Sequence, residues 1–205
     1  MNPADVSASY NQIAGQWVSP EFNEENGVAA HRRALAFLPG DTPHGTALDL
    51  GCGAGGRLIN VMLANGLKVE GLDLSERMLD LARNRHPDVI FHHADMTEWP
   101  FAQTYNFITA WDSFWHVPLV QQPGVLEQML GALNPDGVCI FSSGGLDHAE
   151  ERVDQAMGVP MYHATPGIPA LLHIVGQSGC VLRHLEYDHH PELHIYIIAQ
   201  KMPNP

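Results

Sequence analysis

Short apolar runs alternate along this chain with longer segments in which apolar residues recur at helical spacing. A continuous apolar run predicts a strand that is buried on both faces, whereas the helical spacing predicts an amphipathic helix. Strands are predicted at residues 47–52, 68–74, 89–94, 105–111 and 138–142. Helices are predicted at about 56–65, 75–85 and 123–133. Strands that alternate with helices indicate an α/β fold with a mostly parallel sheet covered on both sides.

The two ends of the chain depart from this alternation. The N-terminal part is predicted to be helical, and a linker that contains Pro and Gly follows at 39–43. Near the C-terminus, two strands with no helix between them predict an antiparallel hairpin. We therefore expect a single domain over 1–205, with a helical cap at 1–45, a ligand-binding core at 46–142, a lid at 143–165 and a hairpin at 180–201.

Four glycines follow the first predicted strand, in the run Ala47-Leu48-Asp49-Leu50-Gly51-Cys52-Gly53-Ala54-Gly55-Gly56. Glycine lets the backbone turn sharply and approach a ligand closely, and the free N–H groups of the next helix favour a charged ligand. Two acids indicate that this ligand contains a nucleoside. They are Asp49, which precedes the first glycine, and Asp73, at the end of the next strand. The spacing Gly51-x-Gly53-x-x-Gly56 also satisfies the dinucleotide fingerprint, so an NAD(P)-dependent oxidoreductase stays open as an alternative.

These residues, with Asp95-Met96 at the end of the third strand, resemble the cofactor site of class I S-adenosylmethionine (AdoMet)-dependent methyltransferases. A carboxylate at Asp49 suits the ammonium group of AdoMet, whereas it would repel a pyrophosphate. The resemblance covers about residues 45–145. It implies a Rossmann-like, seven-stranded, mostly parallel sheet with one antiparallel strand, AdoMet as the cofactor and S-adenosylhomocysteine (AdoHcy) as the product. A non-catalytic AdoMet-binding protein is the other alternative.

The resemblance also implies which residues contact the cofactor. These are Tyr10, Asp49, Gly51, Cys52, Gly53, Asp73, Leu74, Met78, Asp95, Met96, Ala110 and Trp111. Asp73 would bind the ribose hydroxyls, and Asp95 and Met96 would bind the adenine edge. Met78 would pack on the adenine face, although simple core packing stays open for it. Tyr10 belongs to a segment that looks like the aromatic-rich entry helix of small-molecule methyltransferases, and a packing role stays open there too.

The resemblance implies that class I enzymes differ by substrate at the end of the fourth strand, which here reads Ala110-Trp111-Asp112-Ser113-Phe114-Trp115-His116. This segment lacks the Asn/Asp-Pro-Pro-aromatic run of enzymes that methylate exocyclic amino groups, and its aromatic residues favour a small-molecule acceptor. His116 is the first candidate for a base or substrate orienter and Asp112 the second, with local structural roles open for both. Trp115, Tyr162 and His163 are candidates for acceptor contacts. In-line methyl transfer mainly needs alignment, so no dedicated base is required.

Histidines are concentrated in the loop of the C-terminal hairpin. A His and a Glu two residues apart in a strand turn can share one face, so a metal site is conceivable. Solvated loop histidines are the expected state, and no metal is predicted. Class I topology also places this hairpin on the far side of the sheet from the acceptor. The residues considered for a metal are His189, His190, Glu192 and His194, and those considered for reaching the acceptor are Glu186, Tyr187, His189 and His190.

Charge and composition restrict the partners further. The net charge of −13, with ten Lys and Arg against 23 acids, argues against nucleic acid and favours a small-molecule substrate. No apolar run approaches the ~20 residues of a membrane span, and the N-terminus lacks the features of a secretory signal. Cys52, Cys139 and Cys180 are expected to be reduced core residues. We expect a cytoplasmic monomer or homodimer that does not bind membranes.

Overall fold

The computed structural model describes residues 1–40 and 45–203, so positions 41–43 of the predicted linker lie outside the described residues. The strands of the described part are β1 (Thr46–Leu50), β2 (Lys68–Asp73), β3 (Ile90–His93), β4 (Tyr105–Ala110), β5 (Leu133–Gly144), β6 (Glu150–Asp154), β7 (Met161–Thr165), β8 (Cys180–Glu186) and β9 (His194–Lys201). The α-helices are α1 (Pro3–Ile13), α2 (Val28–Leu35), α3 (Arg57–Ala64), α4 (Glu76–Arg85), α5 (Gln122–Gly131) and α6 (Ile168–Gln177). No helix in these ranges has the length and apolar character needed to cross a bilayer.

Seven strands form the main sheet, in the order β3-β2-β1-β4-β5-β9-β8. Strands β1 to β5 pair in parallel, whereas β9 is antiparallel to both of its neighbours, β5 and β8. The predicted fold, a mostly parallel sheet of seven strands with one antiparallel strand, is confirmed. The strand order reverses between β1 and β4, and ligands of open α/β sheets bind beyond the carboxyl ends of the strands at such a point.

The sheet is buried on both faces because helices pack on each of them, and successive residues of each strand point to opposite faces. On one face, Phe107 of β4 belongs to a core cluster that includes Ile59 and Met62 of α3. On the other face, the next residue, Ile108, belongs to a cluster with side chains of α5 and α6. This two-sided burial explains why the central strands are continuous apolar runs in the sequence.

Residues 143–165, predicted as a lid, begin with the end of β5 and then form an antiparallel pair, β6 with β7. This pair packs on α1 through a small apolar cluster that includes Val6, Met161 and Tyr162. The hydroxyl of Ser9 also donates to the carbonyl of Pro160, at 2.7 Å. Helix α6, which follows, had no counterpart among the predicted elements. The β6–β7 pair and α1 therefore lie together over the carboxyl end of the sheet.

Candidate active site

The glycine turn joins β1 to α3 and depends on glycine at Gly51. The backbone N–H groups of Gly51 and Cys52 both donate to the carbonyl of Leu72, at 2.7 and 3.0 Å, so the turn is tied to the neighbouring strand. Gly51 has a φ of 71°, and a Cβ there would lie 2.3 Å from the Cβ of Ser113. A side chain at Gly51 would therefore be both strained and in collision.

Asp73 ends β2 with its carboxylate held from two sides. One oxygen accepts from the N–H of Gly53 and the other from the N–H of Ser75, both at 2.8 Å. Burial raises the pKa of Asp73 above its usual value, although these backbone hydrogen bonds oppose the rise. Ser75 in turn caps α4 by accepting from the N–H of Met78, as the sequence predicts. Asp73 thus links the glycine turn to the start of α4.

A cleft lies between the glycine turn, α1 and the carboxyl ends of β2 and β4. We call it the cofactor cleft. Its empty space is about 670 Å³, open solvent at the mouth included. The predicted cofactor residues that line it are Tyr10, Gly51, Gly53, Asp73, Leu74, Met78, Asp95 and Met96, and both predicted catalytic residues, Asp112 and His116, line it too.

Four predicted cofactor residues do not line the cofactor cleft: Asp49, Cys52, Ala110 and Trp111. Ala110 is fully buried in the core, and Cys52 packs against the cluster on the opposite face of the sheet. The Trp111 ring lies among core aromatics, with its centroid 5.2 Å from that of His31. Ala110 and Trp111 are consecutive and face opposite sides of the sheet, each within a core cluster, so neither side chain reaches the cleft beyond the strand ends.

Asp49 is buried beneath the glycine turn, and its side chain does not line the cofactor cleft. Burial, together with the charge of Asp73, raises the pKa of Asp49 to about 7, and the Arg57 guanidinium opposes that rise. Asp49 is thus only about half ionised at neutral pH, and its ionised fraction adds to the charge of Asp73 to give a negative field at the turn. Such a field favours a cationic group in the cleft.

His116 is a neutral histidine at the centre of a hydrogen-bond cluster. Its Nε2 lies 3.0 Å from Trp115 Nε1, which can only donate, so Nε2 is an acceptor and Nδ1 carries the proton. That proton is donated to the carbonyl of Tyr162, at 2.6 Å. The Tyr10 hydroxyl lies 2.8 Å from the same Nε2. Burial lowers the pKa of His116 to about 4, so it stays neutral at physiological pH.

Asp112 follows β4 in the left-handed conformation, with a φ of 52°. Its carboxylate accepts from Asn26 Nδ2 at 3.0 Å and lies 3.1 Å from Nε2 of His194. Burial raises the pKa of Asp112, but the hydrogen bond and charge of His194 outweigh it, so the pKa is lower than usual. The expectation that the C-terminal hairpin lies far from the site is wrong at His194, because β9 pairs directly with β5 and brings its first residue to the site.

A second cavity lies between the β6–β7 pair and the loop before β9. We call it the hairpin pocket. Its empty space is about 1040 Å³, open solvent included. Two of the predicted acceptor residues, Trp115 and His163, line it. Tyr162 does not: its hydroxyl donates to Glu151 at 2.6 Å. The lining residues that had not been predicted as acceptor contacts are Gly144, Leu146, Glu150, Arg152, Ala164, Thr165, Glu192, Leu193 and His194.

The two cavities share a dividing wall, made of Asp112 and His116 on the cleft side and Trp115, His163 and His194 on the pocket side. Three contacts cross it: His194 to Asp112, Trp115 to His116, and the His116 and His163 rings, whose centroids are 5.0 Å apart. The wall contains polar and aromatic groups within a few ångströms of both cavities. In-line transfer needs the reacting atoms ~3–3.5 Å apart, so side chains of the wall would have to turn aside before a ligand in one cavity could reach a ligand in the other.

The fold and the site define an α/β protein with a nucleoside-type cleft at the switch point of its sheet. More particularly, the chain belongs to a methyltransferase family: the family described as "Methyltransferase domain" matches residues 22–185. This membership gives no support to the oxidoreductase alternative.

Curated relatives match the chain over part of their own length. A dTDP-3-amino-3,6-dideoxy-alpha-D-glucopyranose N,N-dimethyltransferase of Streptomyces fradiae is 35% identical over 124 residues, covering 58% of this chain and 48% of that protein. A trans-aconitate 2-methyltransferase of Rhizobium meliloti is 35% identical over 120 residues, covering 57% of this chain and 44% of that protein. The chain therefore spans about half the length of these curated relatives.

Solved structures share the fold over nearly the whole chain. A magnesium protoporphyrin IX methyltransferase from Synechocystis with bound SAH (AdoHcy) has a TM-score of 0.71 at 16% identity, covering 96% of this chain and 98% of that one. A SAM-bound amino pentose methyltransferase from Micromonospora echinaspora has a TM-score of 0.66 at 18% identity, covering 93% and 97%. At these identities the likeness establishes the fold.

Proposed function

We propose that this chain binds AdoMet in the cofactor cleft and transfers its methyl group to a small polar molecule that enters through the hairpin pocket. The acceptor reaches the methyl group beside Asp112 and His116 when the side chains of Trp115 and His163 turn aside, because in-line transfer needs the reacting atoms ~3–3.5 Å apart. The observation that carries the proposal is the placement of Asp73, whose carboxylate is held by Gly53 and Ser75 at the wall of the cleft. A carboxylate fixed beside a glycine turn is suited to the two hydroxyls of a ribose. Family membership supports the same assignment.

In this proposal each end of AdoMet meets a different part of the cleft. Asp73 binds the ribose, and Asp95 with the backbone of Met96 reads the adenine edge. Leu74 and the buried side chain of Met78 supply apolar contact for the adenine ring. The backbone of Gly51 and Gly53 and the charge of Asp49 hold the methionine part, whose ammonium group the negative field attracts.

The acceptor side is assigned from the lining of the hairpin pocket. Glu150, Arg152 and Glu192 line it, with Thr165 deeper inside, so the pocket offers charges of both signs and a hydroxyl. A polar acceptor of modest size fits such a lining better than a hydrocarbon does. Trp115 presents an aromatic surface against which the acceptor can be aligned.

The chemistry needs orientation more than proton transfer. AdoMet supplies an activated methyl group, so the protein must align the nucleophile with it and exclude water. We assign His116 to positioning, because its Nε2 already accepts from Trp115 and Tyr10 and its Nδ1 is bound to Tyr162. Asp112 contributes by holding His194 at the pocket side of the dividing wall.

A turnover experiment tests this assignment. AdoHcy release would be followed with AdoMet and a panel of small polar acceptors, and kinetics then measured for Trp115→Phe and for Trp99→Phe. Trp99 packs against His92, away from both cavities, which makes it the matched control. We expect Trp115→Phe to lower kcat/KM for the acceptor about tenfold or more, with unchanged AdoHcy affinity, because its hydrogen bond to His116 is lost.

Wild-type kinetics in Trp115→Phe would contradict the acceptor site. Tight AdoMet binding without turnover of any acceptor would instead favour the non-catalytic alternative.

A further inference from the structure

Three potential metal ligands come together where the loop after β8 meets β9. Nδ1 of His194 lies 2.5 Å from Oδ1 of Asp188, and Nε2 of His189 lies 3.5 Å from Oδ2 of the same carboxylate. The two imidazole rings stack with centroids 4.7 Å apart. One ligand atom from each residue can be chosen so that all lie within 4.8 Å of one another. Tetrahedral ligands that each lie ~2.0–2.2 Å from one ion are ~3.3–3.6 Å apart. To close the set, the exposed His189 ring must leave its stack on His194 and turn a nitrogen toward the other two ligands, and the Asp188 carboxylate must move away from Nδ1 of His194.

His194 already has the orientation of a metal ligand. Its Nε2 faces Oδ1 of Asp112 at 3.1 Å and its Nδ1 faces Oδ1 of Asp188 at 2.5 Å, so an ion bound at Nδ1 would displace the proton that Nδ1 donates to Asp188. Metal-binding histidines usually donate their second ring N–H to a carboxylate in this way, which fixes the ring and increases its basicity. The Asp112 carboxylate is itself held by Asn26 and Ser142.

Aromatic packing fixes the His194 ring in this position. Its centroid lies 5.8 Å from that of Trp111 and 5.2 Å from that of Trp115, and only 9% of its side chain is exposed. A ligand set that includes one immobile, buried imidazole loses less side-chain entropy on binding an ion than a set of free surface histidines.

We propose that Asp188, His189 and His194 form a binding site for a divalent transition-metal ion, with Zn²⁺ as the expected occupant. Two imidazole nitrogens and one carboxylate oxygen suit Zn²⁺ and its first-row neighbours, whereas Mg²⁺ and Ca²⁺ prefer sites made of oxygen alone. The site replaces the set suggested by the sequence, because Asp188 belongs to the group and His190 and Glu192 do not.

The location gives the ion a role at the hairpin pocket. His194 lines the pocket, and three protein ligands leave a coordination position for an outside oxygen. A hydroxyl or carboxylate of the acceptor is the ligand that we assign to this position. This last step rests on the proposed function, whereas ion binding itself does not.

The test is a metal titration of untagged protein without AdoMet or acceptor. Chelator-stripped wild type would be titrated with Co²⁺, read by its visible ligand-field absorption, and then with Zn²⁺ in competition, read by calorimetry. His189→Ala removes an exposed ligand, and His190→Ala changes the neighbouring residue of the same loop as the matched control. Asp112→Asn removes only the carboxylate behind His194.

We expect one equivalent of ion to bind to wild type and to His190→Ala with equal affinity. His189→Ala and Asp112→Asn should weaken binding by about tenfold to a hundredfold, the usual effect of losing a ligand or its supporting carboxylate. The proposal is overturned if wild type takes up no stoichiometric ion, or if His189→Ala binds as tightly as His190→Ala. The cluster would then be an ion-pair chain of Asp112, His194 and Asp188 alone. Because no turnover is measured, failure of methyl transfer cannot produce either result.

Discussion

Nε2 of His194 lies 3.1 Å from Oδ1 of Asp112, and this contact joins the first residue of β9 to the second residue after β4. Asp112 lines the cofactor cleft and His194 lines the hairpin pocket, so the pair connects the two cavities through the dividing wall. We therefore expect a substitution of either residue to change ligand binding in both cavities.

The backbone at Asp112 is left-handed, and this conformation predicts the relative stability of two variants at this position. At a φ of 52°, alanine costs ~1–2 kcal/mol, whereas glycine has no such penalty. Asp112→Ala and Asp112→Gly lose the same hydrogen bonds, so we expect Ala to be the less stable by about 1–2 kcal/mol. Urea unfolding of both variants measures the difference. Equal stabilities would mean that the backbone at Asp112 is not left-handed in solution.

Asp73→Ala should weaken AdoHcy binding by about 1.5–3 kcal/mol, the range for charge-assisted hydrogen bonds. Part of the loss arises because the N–H groups of Gly53 and Ser75 no longer have the Asp73 carboxylate as their hydrogen-bond acceptor. Asp80→Ala is the control, because it removes an exposed carboxylate from α4 outside the cleft. Calorimetric titration of both variants checks the expectation, and unchanged affinity in Asp73→Ala would remove Asp73 from the site.

His116→Ala should slow turnover far more than it weakens AdoHcy binding. The imidazole positions Tyr10 and Trp115 beside the dividing wall, and both lose their acceptor when it is removed. Because the pKa of His116 is about 4, its titration should not appear in the pH dependence of turnover near neutrality. The measurements are kcat, the AdoHcy dissociation constant and a pH–rate profile. A variant as active as wild type would exclude His116 from the reaction.

Asp49 should make the free protein less stable as the pH rises. Its folded-state pKa of about 7 lies above the ordinary value of 3.8, because of burial and then the charge of Asp73. Its contribution to stability is therefore complete below about pH 3.8 and is lost as the pH rises through about 7.

Asp49→Asn should thus exceed wild type in Tm at about pH 8, and the gap should close towards about pH 4. The same variant should bind AdoMet more weakly, since it lacks the charge that attracts the ammonium group. Thermal unfolding at several pH values and one AdoMet titration measure both effects. A gap in Tm that does not change with pH would show that Asp49 titrates normally.

The parts of the site encoded in short sequence segments were predictable. Gly51 and Gly53 follow β1 and Asp73 ends β2, and the carboxyl ends of adjacent parallel strands must meet at one edge of a sheet. The placement of Trp111 could not be decided in the same way, because the side that a residue faces at a strand end depends on the local turn. In the structure it faces the core.

The hairpin pocket was beyond prediction because it depends on contacts distant in sequence. His194 reaches Asp112 only because β9 pairs with β5, at a separation that no local pattern reveals. Glu150 and Arg152 belong to β6, whose pairing with β7 creates one wall of the pocket. The histidine run was visible, but its grouping with Asp188 needed the fold of the loop.

The most direct test of the central claim is thermal unfolding of wild type and Asp73→Ala with AdoMet, AdoHcy and NAD. A ligand at about 100 times its dissociation constant adds ~2.7 kcal/mol to stability, which moves the unfolding midpoint clearly. We expect AdoMet and AdoHcy to raise the wild-type midpoint, to raise that of Asp73→Ala much less, and NAD to leave both unchanged. A shift with NAD alone, or equal shifts with AdoMet in both proteins, would contradict AdoMet binding in the Asp73 cleft.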